Sequence, residues 1–286
     1  MVNDSDDAVM PRKPRKGIYV LPNLVTLGAL FGGFFGIVMG INGRFDLATA
    51  GVFAAMVLDS LDGRVARMTG TQSAFGEQMD SLADMVSFGA APALLAYEWA
   101  LRPLGRWGWI AAFVYCACAA LRLARFNVNT AVVDKRYFQG LPSPAAAALV
   151  AGFIWLTSAM LGSQREVPLF RDLISVFGGE PLARGDLSWI TFAITLFAGL
   201  TMVTNVPYYS FKDFGGRRSV PFVVLVAIAL LFAVISIEPA TMLFGLFVGY
   251  ALSGYVVYAW RRAKGEPVSI VSTSTDEPDE RGLHHD

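Results

Sequence analysis

The sequence predicts an all-α fold, a polytopic membrane helix bundle with about eight transmembrane helices, and three observations lead to this prediction. Hydrophobic residues make up 55% of the 286-residue chain and charged residues only 16%, well below the roughly 25% of a soluble domain. Eight apolar segments are long enough to span a bilayer, which takes about 20 helical residues. Basic residues also gather on one side of the arrangement that these segments imply.

The eight predicted spans follow one another along the chain. The second and third carry acidic residues at their inner ends, so hydropathy alone underestimates them, and the seventh is short enough to be a re-entrant or tilted element. The spans are Ile18–Gly40, Phe45–Met68, Glu77–Leu101, Trp107–Asn127, Leu141–Leu161, Leu187–Val206, Val220–Ile237 and Ala240–Trp260. We expect one membrane domain, from residue 18 to residue 262.

The distribution of basic residues predicts the orientation of the chain. If the N-terminus lies in the cytoplasm, seventeen of the 23 Lys and Arg residues fall in inner segments and six fall outside, which is a clear positive-inside bias. We therefore expect a protein of the inner (cytoplasmic) membrane with both termini in the cytoplasm. Residues 1–17 are then a basic cytoplasmic segment, and residues 263–286, rich in Ser, Thr, Asp, Glu and Pro, are expected to be a disordered cytoplasmic tail.

Four carboxylates lie where the second and third spans meet: Asp59, Asp62, Asp80 and Asp84. A charged residue at the centre of a membrane helix costs roughly 2.5–3.5 kcal/mol on insertion scales. Residues three or four apart share one helical face, and a short turn at 68–73 can bring the two acidic faces together. Hard divalent cations take oxygen ligands, so the pattern predicts a site for one or two metal ions.

The residues between the aspartates suit a phosphate. Gly63 and Gly76 have no side chain where a ligand would need close approach, and Arg67 supplies a planar fork of donors that matches phosphate oxygens. The pattern therefore indicates a metal-held phosphate or pyrophosphate. The alternative, helix caps and interfacial charges that align by chance, explains one aspartate better than four in register.

This stretch resembles the signature of the CDP-alcohol phosphotransferase family, D-x2-D-G-x2-A-R-x8-G-x3-D-x3-D. All eight fixed positions match, namely Asp59, Asp62, Gly63, Ala66, Arg67, Gly76, Asp80 and Asp84. The resemblance implies an integral membrane enzyme that displaces CMP from a CDP-linked lipid with an alcohol. It also implies a six-helix catalytic core, to which this chain adds about two C-terminal helices.

The resemblance assigns roles to individual residues. Asp84 would be both a metal ligand and the base for the incoming hydroxyl. The metal, Mg or Mn and expected as two ions, would be held by Asp59, Asp62, Asp80 and Asp84. The CDP group would be bound by Gly63, Ala66, Arg67 and Gly76, together with Asn23 and Thr26 at the start of the first span.

Four further segments, 22–26, 122–127, 138–145 and 205–212, resemble the phosphatidylserine synthase branch of the family. This branch implies CDP-diacylglycerol and L-serine as substrates, phosphatidylserine and CMP as products, membrane lipid as surroundings and a homodimer as the assembly. No nucleic-acid partner is expected.

Two arginines, Arg122 and Arg125, bear on the acceptor. Being three apart, they share a helical face, and they could bind the lipid phosphate or the carboxylate of an amino acid. They could equally be topological charges that reach toward the interface. The acceptor could instead be glycerol-3-phosphate, inositol phosphate or choline, although a phosphorylated acceptor calls for a denser basic cluster. From another class, a cation-coupled transporter could use the aspartates as its ion site.

Other chemistries are improbable from residue counts. The two histidines, His284 and His285, lie in the predicted tail, so a histidine triad or a histidine-ligated zinc site is not expected. Cys116 and Cys118 point in different directions on a helix and are expected to be packing residues. The glycines within 32–36 are expected to serve helix packing, because small residues let membrane helices approach closely.

Overall fold

The computed structural model of the protein describes residues 20–128, 137–162, 184–209, 226, 229, 230, 233 and 235–264. Nearly all of these residues are helical, which confirms the predicted all-α class. The helices are α1 (Val20–Ile41), α2 (Phe45–Thr69), α3 (Ala74–Asp84), α4 (Ala91–Ala96), α5 (Arg106–Val128), α6 (Ser143–Gly162), α7 (Arg184–Val203) and α8 (Pro239–Ala263), and two short strands are β1 (Tyr137–Gln139) and β2 (Pro207–Tyr209). Residues 1–17, most of the seventh predicted span and the tail from residue 265 lie outside the described residues.

The helices are those of a multi-pass membrane protein. Among the described residues, four helices are long and apolar enough to cross a bilayer, α1, α5, α6 and α8, and α7 contains a shorter apolar helix, Leu187–Val203. The 25-residue α2 also has the length to span. It is less apolar than those four helices because its C-terminal half carries two aspartates and two arginines, as the sequence led us to expect.

Glycines hold α1 close to its neighbours. A Cβ atom on Gly32 would lie 2.9 Å from the carbonyl oxygen of Gly51, and one on Gly36 would lie 2.9 Å from that of Ala48. A Cβ atom on Gly33 would overlap Ser87. The predicted packing role of these glycines is confirmed, and the contact places the first turns of α1 beside the C-terminal half of α2.

The third predicted span is a helical segment, residues 74–101, with two wider turns inside it. After α3, residues Met85–Ala90 form a π-helical turn, and after α4 a second one covers Tyr97–Leu101. Around the first turn, the Ser87 hydroxyl donates to the carbonyl of Ala29 at 3.0 Å. The Tyr115 hydroxyl donates to the carbonyl of Phe88, also at 3.0 Å. Such turns inside α-helices are frequent at functional sites, and this one directly follows Asp84.

Two strands connect distant parts of the chain. β1 pairs with β2 in antiparallel fashion, with Phe138 opposite Tyr208. The buried Tyr208 hydroxyl donates to the carbonyl of Ala251 at 2.8 Å, which ties the strand pair to α8. The sequence did not predict these strands, because three-residue strands carry no periodicity that could be recognised.

Candidate active site

A four-residue turn connects α2 to α3. Gly70 ends α2 with a left-handed backbone, φ 62°, and its N–H donates to the carbonyl of Arg67 at 3.3 Å. The hydroxyl of Ser73 caps α3 by accepting a hydrogen bond from the N–H of Gly76 at 3.1 Å. A glycine after one helix and a serine before the next are the residues that such ends prefer. The turn lies where the sequence placed it.

Three of the four aspartates converge across this pair of helices. Asp59, Asp62 and Asp80 each present a carboxylate oxygen, and these oxygens all lie within 4.8 Å of one another. Asp62 is only 6% exposed, and like charges at this separation repel in a partly desolvated site. One oxygen of Asp80 is buried without a hydrogen-bond partner. An oxygen-only set with an unsatisfied acceptor fits a hard divalent cation.

Asp84 stands one turn beyond Asp80 on α3. Its carboxylate lies within hydrogen-bonding reach of that of Asp59. The positive charge that acts on it comes from Arg122 of α5. Asp84 therefore interacts both with the converging carboxylates and with the buried Arg122, although it is not one of the three that lie closest together.

The start of α1 supports the acidic group from the other side. The Thr26 hydroxyl donates to a carboxylate oxygen of Asp62 at 2.8 Å, and Thr26 is buried. The side-chain oxygen of Asn23 would lie 3.5 Å from a Cβ atom on Gly76. Both residues therefore sit at the site, as the resemblance implied.

These residues surround a cavity of about 190 Å³, which we call the aspartate cavity. It is lined by all six residues expected at the CDP group and by two of the aspartates: Asn23, Thr26, Asp62, Gly63, Ala66, Arg67, Gly76 and Asp80. Arg67 is exposed at the rim. A Cβ atom on Gly76 would lie only 3.2 Å from the hydroxyl oxygen of Ser73, a tight contact, whereas one on Gly63 would make an ordinary contact with Nη1 of Arg67 at 3.5 Å.

Sequence reasoning missed part of the lining. Four more residues border the cavity: Thr71, Gln72, Ser73 and Glu77. They belong to the turn between the helices or to the first turn of α3, and the nearby motif is the only signal that could have indicated them. Their residue types are those of an ordinary polar turn between two helices, so they give no sign of a binding site. Pro22, from the segment 22–26 that carries the resemblance, also borders the cavity.

Two arginines of α5, Arg122 and Arg125, have different surroundings in the structure. Arg122 is 9% exposed, and its Nη1 donates to the hydroxyl of the fully buried Ser143 at 2.8 Å. The Nε of Arg122 is buried and has no hydrogen-bond partner. A buried guanidinium with a free donor can still take up an anion.

Arg125 has a different environment. Its Nη1 donates to the carbonyl of Val203 and to the side-chain oxygen of Asn205, both at 3.2 Å. Its Nη2 donates to the carbonyls of Gln139 at 3.1 Å and Thr204 at 3.4 Å. All of these partners belong to the protein, so the two predicted anion-binding arginines are not equivalent.

Comparisons with known proteins match the region that contains this site. The family model described as CDP-alcohol phosphatidyltransferase matches residues 19–197. A CDP-diacylglycerol–serine O-phosphatidyltransferase of Helicobacter pylori is 33% identical over 243 residues, which are 85% of this chain and 92% of the relative. The enzyme of the same name from Methanocaldococcus jannaschii is 31% identical over 207 residues, 72% of this chain and 82% of the relative. An archaetidylserine synthase of Methanothermobacter thermautotrophicus is 37% identical over 147 residues, 51% of this chain and 62% of the relative.

Proposed function

Because the chain belongs to the CDP-alcohol phosphatidyltransferase family, we propose that it transfers a phosphatidyl group from CDP-diacylglycerol to L-serine, giving phosphatidylserine and CMP. The observation that carries the proposal is the aspartate cavity, which six of the eight signature residues line. Asp59, which completes the converging trio, and Asp84 lie directly behind it. The names of the relatives, which specify serine or archaetidylserine, support serine as the acceptor.

The CDP group of the lipid would occupy the cavity, with the acyl chains in the bilayer. Gly63 and Gly76 line the cavity without a side chain, which would leave space for the nucleotide and pyrophosphate. Arg67 at the rim would hydrogen-bond the phosphate oxygens. Asn23 and Thr26 would close the cavity from α1.

The carboxylates of Asp59, Asp62, Asp80 and Asp84 would hold the divalent cations, which we propose to be two Mg or Mn ions. When bound, such ions neutralise charge on the pyrophosphate and on the departing CMP. Thr26 would keep Asp62 oriented through its hydrogen bond. The unsatisfied oxygen of Asp80 supports this assignment.

In the reaction, the serine hydroxyl would attack the phosphorus that carries diacylglycerol, and the bond from that phosphorus to CMP would break. Asp84 would accept the hydroxyl proton, as a positioned general base. Direct displacement is the simpler route, because no cysteine lines the cavity in the described part of the chain and Ser73 is engaged as a helix cap.

Arg122 would receive the negative group of the acceptor. Its buried, unpartnered Nε and its position near Asp84 suit a serine carboxylate next to the reacting hydroxyl. A phosphorylated acceptor would need more cations. With Arg125 engaged in protein contacts, Arg122 alone supplies a free buried donor among the described arginines on α5. This difference favours serine over glycerol-3-phosphate or inositol phosphate.

The same proposal covers location and assembly. We place the cavity on the cytoplasmic side of the inner membrane, with both termini on that side, because the basic residues gather there. The described basic residues at the ends of α2, α5 and α8 agree with this arrangement. A homodimer is proposed from the family resemblance.

The test is CMP release by detergent-purified protein supplied with CDP-diacylglycerol and Mg or Mn. Serine, glycerol-3-phosphate, inositol phosphate and choline are compared as acceptors. We expect release with serine only. Release with another alcohol alone would keep the site but overturn the acceptor. No release with any acceptor, from protein shown to be folded, would favour the cation-coupled transporter instead.

A further inference from the structure

Arg125 joins three parts of the chain that are far apart in sequence. Its four acceptors lie between 14 and 80 residues further along the chain. They belong to β1, to the C-terminal end of α7 and to the residues that lead into β2. We call this set of contacts, Arg125 with Gln139 and residues 203–205, the arginine junction.

The junction satisfies groups that have no partner within their own helix. The last carbonyls of a helix lack intrahelical donors, and a cation at a helix C-terminus interacts favourably with the helix dipole. Val203 is the last residue of α7, and its carbonyl and that of Thr204 both accept from Arg125. Arg125 thus caps α7 from a different helix.

The turn after β1 is packed tightly into the same junction. The N–H of Gly140 donates to the carbonyl of Val206 at 2.9 Å, and that of Leu141 donates to the carbonyl of Thr201 at 3.1 Å. Gly140 has φ 74°, and a Cβ atom there would collide with the carbonyl oxygen of Met202. The segment 139–141 therefore has little freedom as long as the end of α7 stays in place.

This segment leads directly to Ser143, the partner of Arg122. Arg122 and Arg125 lie about one helical turn apart on α5, and α5 therefore holds the segment 139–143 at both ends. Arg122 is buried, and its Nη1 is hydrogen-bonded to Ser143, so the position of Ser143 helps to fix where the unpartnered Nε points.

Arg122 and Arg125 differ in how many of their N–H groups are available to a ligand. The two terminal nitrogens of a guanidinium carry four N–H groups, and in Arg125 they face four acceptors of the protein. A carboxylate usually engages two N–H groups of an arginine at once, and here it would have to displace protein contacts. A lysine cannot reproduce the arrangement, because its ammonium is a compact point charge without the planar fork.

Resting on the proposed function, we propose that Arg125 is a positioning residue. It fixes the segment 139–143 and thereby Arg122, and it does not contact the acceptor. The contribution of Arg125 to catalysis is therefore already present in the protein without substrate.

The experiment combines amide hydrogen exchange of the substrate-free protein with kinetics. Arg125→Ala and Arg125→Lys are compared with wild type and with Arg106→Ala, an exposed arginine at the first position of the same helix. In both Arg125 variants we expect peptides covering 138–143 to exchange at least about tenfold faster, because several hydrogen bonds to a charged group are lost. We also expect a lower kcat/KM for serine with an unchanged KM for CDP-diacylglycerol. Arg106→Ala should change neither.

Unchanged exchange with a raised KM for serine would overturn the proposal in favour of direct contact, and faster exchange with unchanged kinetics would overturn the link to Arg122. If Arg125→Ala fails to fold, Asn205→Ala removes one of the four acceptors and should give the same changes on a smaller scale. Hydrogen exchange is measured without substrate and does not depend on the reaction. If the proposed function is wrong, wild type will show no serine-dependent CMP release, whatever the exchange results are. The two failures can therefore be distinguished.

Discussion

The aspartate cavity and the arginine junction lie at neighbouring places in the bundle but are assembled by different kinds of contact. The cavity is built mostly from residues 59–84, two consecutive helices and the turn between them. The junction joins residues up to 80 positions apart. Spacing along a helix fixes the relative positions in the first case, whereas in the second they depend on how whole helices pack.

The two regions also differ in how far their charges are satisfied. In the cavity, three carboxylates lie close together and a buried oxygen of Asp80 has no partner. In the junction, the cation of Arg125 faces four acceptors. Since buried polar groups in proteins are nearly always hydrogen-bonded, a buried charged group that lacks a partner indicates a ligand, whereas a guanidinium whose terminal nitrogens all face acceptors of the protein indicates a structural role. Arg122, with one partner and one free nitrogen, belongs with the cavity by this criterion.

The largest effect is expected for Asp84→Asn. The amide keeps the size of the side chain but cannot accept the hydroxyl proton, so turnover should fall by about 10²–10⁴-fold, the usual contribution of a general base. CDP-diacylglycerol binding should persist. CMP release and lipid binding are measured on the same preparation. Turnover near that of wild type would refute the role of Asp84 as base.

A smaller loss, seen mainly as a change in metal dependence, is expected for Asp59→Ala. Asp59 contributes one oxygen to the converging trio and also touches Asp84. Its removal should raise the Mg or Mn concentration for half-maximal rate by about 10–100-fold, as for other groups that support a metal site. Activity of wild type should disappear with a chelator and return with Mg or Mn. An unchanged metal requirement in the variant would place the cation elsewhere.

Thr26→Val tests whether the hydrogen bond from α1 to Asp62 contributes to metal binding by the carboxylates. The substitution keeps the shape of the side chain and removes the hydrogen bond to Asp62. Net hydrogen bonds to charged groups contribute about 1.5–3 kcal/mol, so we expect roughly a tenfold or larger rise in the metal requirement. Thr49→Val is the matched control, since the buried Thr49 hydroxyl bonds only carbonyls of its own helix. An equal effect of both variants would show general destabilisation instead.

Sequence reasoning succeeded where the structure depends on local spacing. The turn between α2 and α3 and the gathering of the signature residues around one cavity both follow from intervals of three and four residues. It could not predict the π-helical turn at Met85–Ala90, which is accompanied by hydrogen bonds to Ala29 and from Tyr115. It also treated Arg122 and Arg125 as one pair, because their partners, 14 to 80 residues away, are not visible in the spacing.

The smallest effect on activity is expected for Tyr115→Phe, which removes one buried hydrogen bond outside the lining of the aspartate cavity. The fully buried Tyr115 hydroxyl donates to the carbonyl of Phe88 inside the π-helical turn, and its loss leaves that carbonyl without this donor. An unsatisfied buried group costs about 1–3 kcal/mol, so the thermal midpoint should fall while the metal requirement stays that of wild type. Tyr258→Phe is the control, because Tyr258 is half-buried and its hydroxyl makes no hydrogen bond to the described residues. If Tyr115→Phe instead raised the metal requirement as Thr26→Val is expected to, the π-helical turn would be part of the functional site. Its geometry would then set the position of Asp84, which directly precedes it.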